Sequence, residues 1–236
     1  MINSQMSYNE IAAEINADLS VVWEKKGYYE RKFIQETAKT KRYPVTKVYK
    51  LGTQGLASTY YLSFTRKSAN ISEAPMAIAC KCRDKKGDAL LLVNPVVMSF
   101  YQNHFIERYK ERVMKDTSAS FDSFVESFLA DEAALSGFEI TKELEDVFHC
   151  FDSHFSDDKV DLLLMSSYGY SFAEKKGKIV FVKTVITPEM LSERQKELFL
   201  QARAMGDSVR YRFDGSYDNN PRAFEGWIGL KAPKSR

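Results

Sequence analysis

An α+β protein, with antiparallel sheet and with helices in the middle and at both ends, is the fold class that three observations predict. Apolar residues near the start recur at helical spacing. Short β-branched and aromatic segments divided by turn residues come next. Helical patterning then returns ahead of a second group of strand-like segments.

Taken in order, Ile11, Ile15, Leu19, Val22 and Trp23 mark a first helix within 11–34, which Gly27 interrupts or ends. Tyr43 to Leu51, Thr59 to Thr65, Met76 to Arg83 and Ala89 to Asn94 read as strands. Gly52-Thr53-Gln54-Gly55 and Lys85-Lys86-Gly87-Asp88 are the turns between them, the second a tight hairpin. After the break at Asn94-Pro95, Val96 to Met114, Phe121 to Leu135 and Thr141 to Phe151 have helical patterning. Strand signals return at Val160 to Ser166 and Lys178 to Ile186, with turns at Tyr168-Gly169-Tyr170 and Lys175-Lys176-Gly177. Thr187-Pro188-Glu189 predicts a helix start, with Thr as N-cap and Pro at the first helical position, running to Met205 and stopped by Gly206. The break divides the chain into 1–94 and 95–236, which can also form one continuous domain.

The 236 residues hold 34 Lys and Arg against 32 Asp and Glu, with 44% hydrophobic and 28% charged residues. Such a balance excludes a disordered chain and a wholesale polybasic or polyacidic one. Three cysteines do not make a secreted disulfide framework, and neither an export signal nor an apolar run of about 20 residues is present. A cytoplasmic location without membrane contact is expected. Charge is uneven locally: Lys25 to Lys50 is rich in bases, whereas Asp116 to Asp161 is acidic, with Lys142 and Lys159 as its bases. The first stretch is a candidate polyanion surface, or an ordinary solvated one, and the second is a candidate protein-binding surface.

The sharpest chemical pattern is His104-x3-Arg108-x3-Arg112. Residues four apart on a helix drift by only about 40°, so the three share a face beside the apolar stripe Phe105, Tyr109 and Val113. Two guanidiniums can grip a phosphate through forked donors, and an imidazole exchanges a proton near neutrality. The plainer alternative is a salt-bridged surface in which Glu107 pairs with Lys110 and Glu111 with Arg108 or Lys115. Further along, strand alternation puts Val182, Thr184 and Ile186 on one face, and Lys183 and Val185 on the other.

Together, the His-x3-Arg-x3-Arg helix and a small meander ending in Ile179-Val180-Phe181-Val182-Lys183-Thr184-Val185-Ile186 resemble the barnase, EndoU, colicin and RelE-type ribonuclease superfamily, over Ser99 to Ile186. That resemblance implies a toxin-like, metal-independent ribonuclease or RNA-binding protein. His104 would carry the proton, Arg108 and Arg112 would stabilise charge on the phosphorane, Thr184 would supply the sheet position, and Tyr168 would stack on a base. Tyr168, Glu107 and Lys183 are all candidates for the second proton carrier.

A metallic constellation competes with this one: Cys80, Cys82, His149, Cys150 and His154 offer donors of the kind a zinc site uses. Their spacing is poor, and alternation puts both strand cysteines on one face, where small thiols fill a core. No metal and no cofactor is the expectation. Phosphate-binding Gly-rich loops, nucleophile elbows and His-Glu-x-x-His are missing from the sequence. The alternative function is a non-catalytic protein–protein interaction module of a phage or mobile-element system, using the acidic middle.

Overall fold

A computed structural model describes residues 1–55, 57, 59–66, 76–93, 97–131, 136–139, 159–166 and 168–197. Helix α1 spans Tyr8–Thr37, and strands β1 to β5 follow at Val45–Gly52, Thr59–Arg66, Met76–Asp84, Gly87–Val93 and Met98–Tyr101. Next come α2 (Asn103–Tyr109), a π-helical turn (Lys110–Met114) and α3 (Phe121–Ala130). Strands β6 to β9 occupy Ser136–Glu139, Lys159–Ser166, Gly169–Lys176 and Ile179–Ile186, and a 3-10 turn at Pro188–Met190 follows. All nine strands form one sheet, in the order β1-β2-β3-β4-β5-β9-β8-β7-β6. Every pairing is antiparallel except that of β5 with β9. The expected α+β class is therefore the class found, and strands from both sides of Asn94-Pro95 share the sheet.

Helices cover both faces of this sheet, which explains why its strands read as near-continuous apolar runs. On one face, Ile11, Ile15, Val22 and Phe33 of α1 pack with Tyr60, Leu62, Phe64, Cys80, Leu91, Phe100 and Phe181. On the other, Phe105, Tyr109, Phe124 and Phe128 from α2 and α3 meet Tyr61, Ala79, Leu90, Tyr101, Val180 and Val182. Successive residues such as Tyr60 and Tyr61 thus serve opposite cores.

The first helix begins with a capping box, in which Ser7 Oγ accepts from the Glu10 amide while Glu10 accepts from the Ser7 amide at 2.7 Å. It runs unbroken through Gly27. The helical cost of one glycine, about 1 kcal/mol, is outweighed by apolar anchors on both sides of it, Val22 and Phe33. Trp23 is not one of these anchors. It lies off the packed face, is half-exposed, and carries the Lys26 ammonium over its ring. A further tie is the buried Asp18 carboxylate, which accepts from Tyr60 Oη at 3.1 Å and from Thr53 Oγ1 at 3.3 Å.

Other expectations need correction. Within the predicted helix 96–114, Met98–Tyr101 is a strand, because its amides and carbonyls pair with β9. The predicted turns at 168–170 and 175–177 enclose a full strand, Gly169–Lys176. The helix expected at Pro188 is only a 3-10 turn; a new start follows at Ser192, whose Oγ accepts from the Gln195 amide while Gln195 Oε1 accepts from the Ser192 amide. The predicted helix 141–151, half of the acidic stretch and everything after residue 197 lie outside the described residues.

Candidate functional site

The His104 region is built where β5 ends beside β9. Gln102 donates its amide to the Val182 carbonyl at 3.0 Å, and the chain turns directly into α2, with the Ile106 amide reaching back to Gln102 O. Asn103 Nδ2 donates to Asp88 O at 3.3 Å, which pins the start of α2 to the β3–β4 hairpin. Gly87 makes the contact possible, because a Cβ there would stand 2.8 Å from Asn103 Nδ2. Phe105, Ile106 and Tyr109 go into the core, so His104 and Glu107 face water and Arg108 lies at the rim.

The helix then widens. A π turn advances each residue through a smaller angle than an α turn does, and Arg112 leaves the line of His104 and Arg108. Its Nη1 donates to the Val185 carbonyl of β9. Lys115, with φ of 57°, closes the turn in the left-handed region. Arg108 is engaged with Glu111 at 2.5 Å, and Lys110 with Glu107 at 3.5 Å, which are the pairs of the plainer surface reading. Both pairs involve exposed carboxylates, so they are weak and exchangeable.

Around His104 the field is positive. Partial desolvation, followed by Arg108, Lys86 and Arg112, holds its pKa below the ordinary histidine value, with Glu111 opposing. Glu111 is itself held below the usual carboxylate range, chiefly by its hydrogen bond to Arg108. Lys86 is exposed at the hairpin tip. By residue type alone it reads only as part of a turn. Only the pairing of β4 with β5 brings that hairpin alongside α2.

The remaining expected site residues are not assembled with His104. Tyr168 is buried beneath the helices, its ring edge-on to Tyr109 at 5.1 Å, and burial pushes its phenol far above the ordinary value. Thr184 faces the other way. A bulge shifts the register so that Phe172 pairs with Thr184 while Ala173 pairs with Val182, leaving Lys183 extra. Val182 and Val185 consequently share the core under α2, and alternation from Val185 turns Thr184 to the opposite face, correcting the regular alternation expected for this strand. Lys183 donates to Glu174 at 2.8 Å.

Of the zinc candidates, Cys80 and Cys82 are buried toward α1, with their sulfurs 3.7 Å apart. His149, Cys150 and His154 lie outside the described residues. Among the described residues no group of three or more His, Cys, Asp or Glu could hold a metal ion, and no helix is long and apolar enough to cross a membrane.

Comparison with protein-family models, curated proteins and solved structures finds no match to this chain.

Proposed function

We propose that the protein binds RNA through its phosphates, without metal, at the cationic rim formed by His104, Arg108 and Lys86. The observation that carries this reading is the meeting of cations from two separate elements around one partly desolvated imidazole. Arg112 is committed to a backbone carbonyl and acts as a support, holding the π turn against β9. Tyr168, the candidate for stacking on a base, is buried away from the rim. Recognition therefore falls on the sugar-phosphate backbone and is insensitive to base sequence.

Binding is preferred to cleavage because attack by a ribose 2′-hydroxyl needs a second proton carrier for the departing 5′-oxygen. Tyr168 is enclosed, Lys183 is paired with Glu174, and Glu107 is an exposed acid paired with Lys110. Each of the three is thus enclosed or already paired.

Fluorescence anisotropy with labelled single-stranded RNA in the presence of a chelator tests the proposal. Wild-type affinity should fall steeply with salt. Lys86→Gln and Arg108→Gln should each weaken binding about tenfold, or roughly 1.4 kcal/mol, and flatten the logarithmic salt dependence by about 0.7 per lost phosphate contact. Unchanged affinity in both variants would overturn the site. RNA shortening by wild type that disappears in His104→Ala would replace binding with cleavage.

A further inference from the structure

Six large hydrophobic residues are exposed among the described residues, and four of them, Val21, Trp23, Tyr28 and Ile34, lie on α1. Val21 and Tyr28 belong to one stripe. At about 100° per residue, Glu10, Glu14, Ala17, Val21, Tyr28, Lys32 and Gln35 fall within about 60° of one another, well away from the buried Ile11, Ile15, Val22 and Phe33. Along this stripe the order is acidic, then apolar, then basic, with Lys39 just beyond the helix end. Acids early and bases late already suit the helix's own dipole. The dipole does not account for a valine at 38% and a tyrosine at 57% exposure in the middle of the same line.

We propose that this stripe is the contact surface for a second copy of the chain, with the two α1 helices antiparallel about a two-fold axis between Glu24 and Lys25. That axis sets Val21 against the partner's Tyr28, and vice versa. Glu10 comes opposite Lys39, Glu14 opposite Gln35 and within reach of Lys32 one turn along, and each pairing occurs twice by symmetry. Parallel pairing would instead put Glu14 against Glu14 and Lys32 against Lys32. Charge thus fixes the orientation, and the apolar centre supplies the contact.

Lys32 is available for this role. It is exposed, 3.9 Å from Glu36 and over the Tyr49 ring at 5.3 Å, so it has only weak commitments within its own chain. A 30-residue helix is about 45 Å long, and a strip about 10 Å wide offers roughly 450 Å² per partner. That is below the ~800 Å² of a standard interface. The dimer is accordingly a weak one, formed at high micromolar concentration and loosened by salt.

Sedimentation velocity over a concentration series reaching the high micromolar range tests the proposal, using the full chain, Glu14→Lys, Lys32→Glu and the double exchange, with circular dichroism to verify folding. Wild type should dimerise. Each single variant should weaken dimerisation about tenfold or more, and the double exchange should restore it. A wild-type monomer at every concentration would overturn the proposal, as would a dimer indifferent to the single changes or a double exchange that fails to rescue.

Discussion

Phe128→Ala should lower the unfolding free energy by about 3–5 kcal/mol, the range for truncating a fully buried phenylalanine. Phe128 is completely enclosed and stands at the centre of a ring cluster, with centroids of Tyr101, Phe105, Tyr109, Phe124 and Tyr168 between 4.6 and 6.5 Å away. These rings come from β5, α2, α3 and the β7–β8 turn, so one truncation loosens four elements at once. The cavity cannot close easily, since its walls are themselves rigid aromatics held by their strands and helices. Phe121, on the same helix but half-buried under Lys81, provides the contrast and should cost only about 1 kcal/mol as alanine. Urea unfolding of both variants checks the pair; equal losses would mean that the cluster is not centred on Phe128.

Gly169→Ala should be nearly as damaging, by a different mechanism. Gly169 opens β8 with φ of 138°, and a Cβ there would lie 2.1 Å from the Ile186 carbonyl oxygen of the neighbouring strand. That atom is backbone, so no side-chain rotation relieves the clash. The strained φ alone costs on the order of 1–3 kcal/mol, and displacement of the β8–β9 pairing adds to it. Thermal unfolding should show a loss of several degrees or more, on the scale of about 2–4 °C per kcal/mol for a chain of this size. A variant melting within a degree or two of wild type would show that the turn accommodates a side chain.

Much of the architecture was legible because the first four strands are local. Thr59–Arg66, Met76–Asp84 and Gly87–Val93 combine β-branched and aromatic residues with explicit turns, and each pairs with its sequence neighbour. Met98–Tyr101 was not legible. Four residues abutting a helical pattern carry no strand signal of their own, and their partner β9 lies some eighty residues on. The histidine and arginines were found by helical spacing, yet spacing assumes an α-helix throughout. The π turn at Lys110 carried Arg112 off the stripe, and the bulge at Lys183 turned Thr184 away. Neither irregularity is encoded in residue type alone. Lys86 was missed because its proximity to His104 is a property of sheet order.

His104 also reports on the central reading through its proton. Its folded pKa is depressed, so between that value and the ordinary one, about 6.5, the folded chain binds fewer protons than the unfolded chain. Stability therefore falls as pH drops through this window, and the penalty is absent above it. A bound phosphate supplies the opposite charge and raises the pKa, so binding takes up a proton and affinity strengthens with acidification. His104→Gln should abolish that pH dependence.

The most direct measurement is an NMR titration of the His104 imidazole, assigned through the glutamine variant, with and without saturating single-stranded RNA. The expected result is a pKa below the ordinary histidine value in the free protein and a clear upward shift with RNA. An imidazole that titrates identically in both states would contradict the placement of RNA phosphate at this rim.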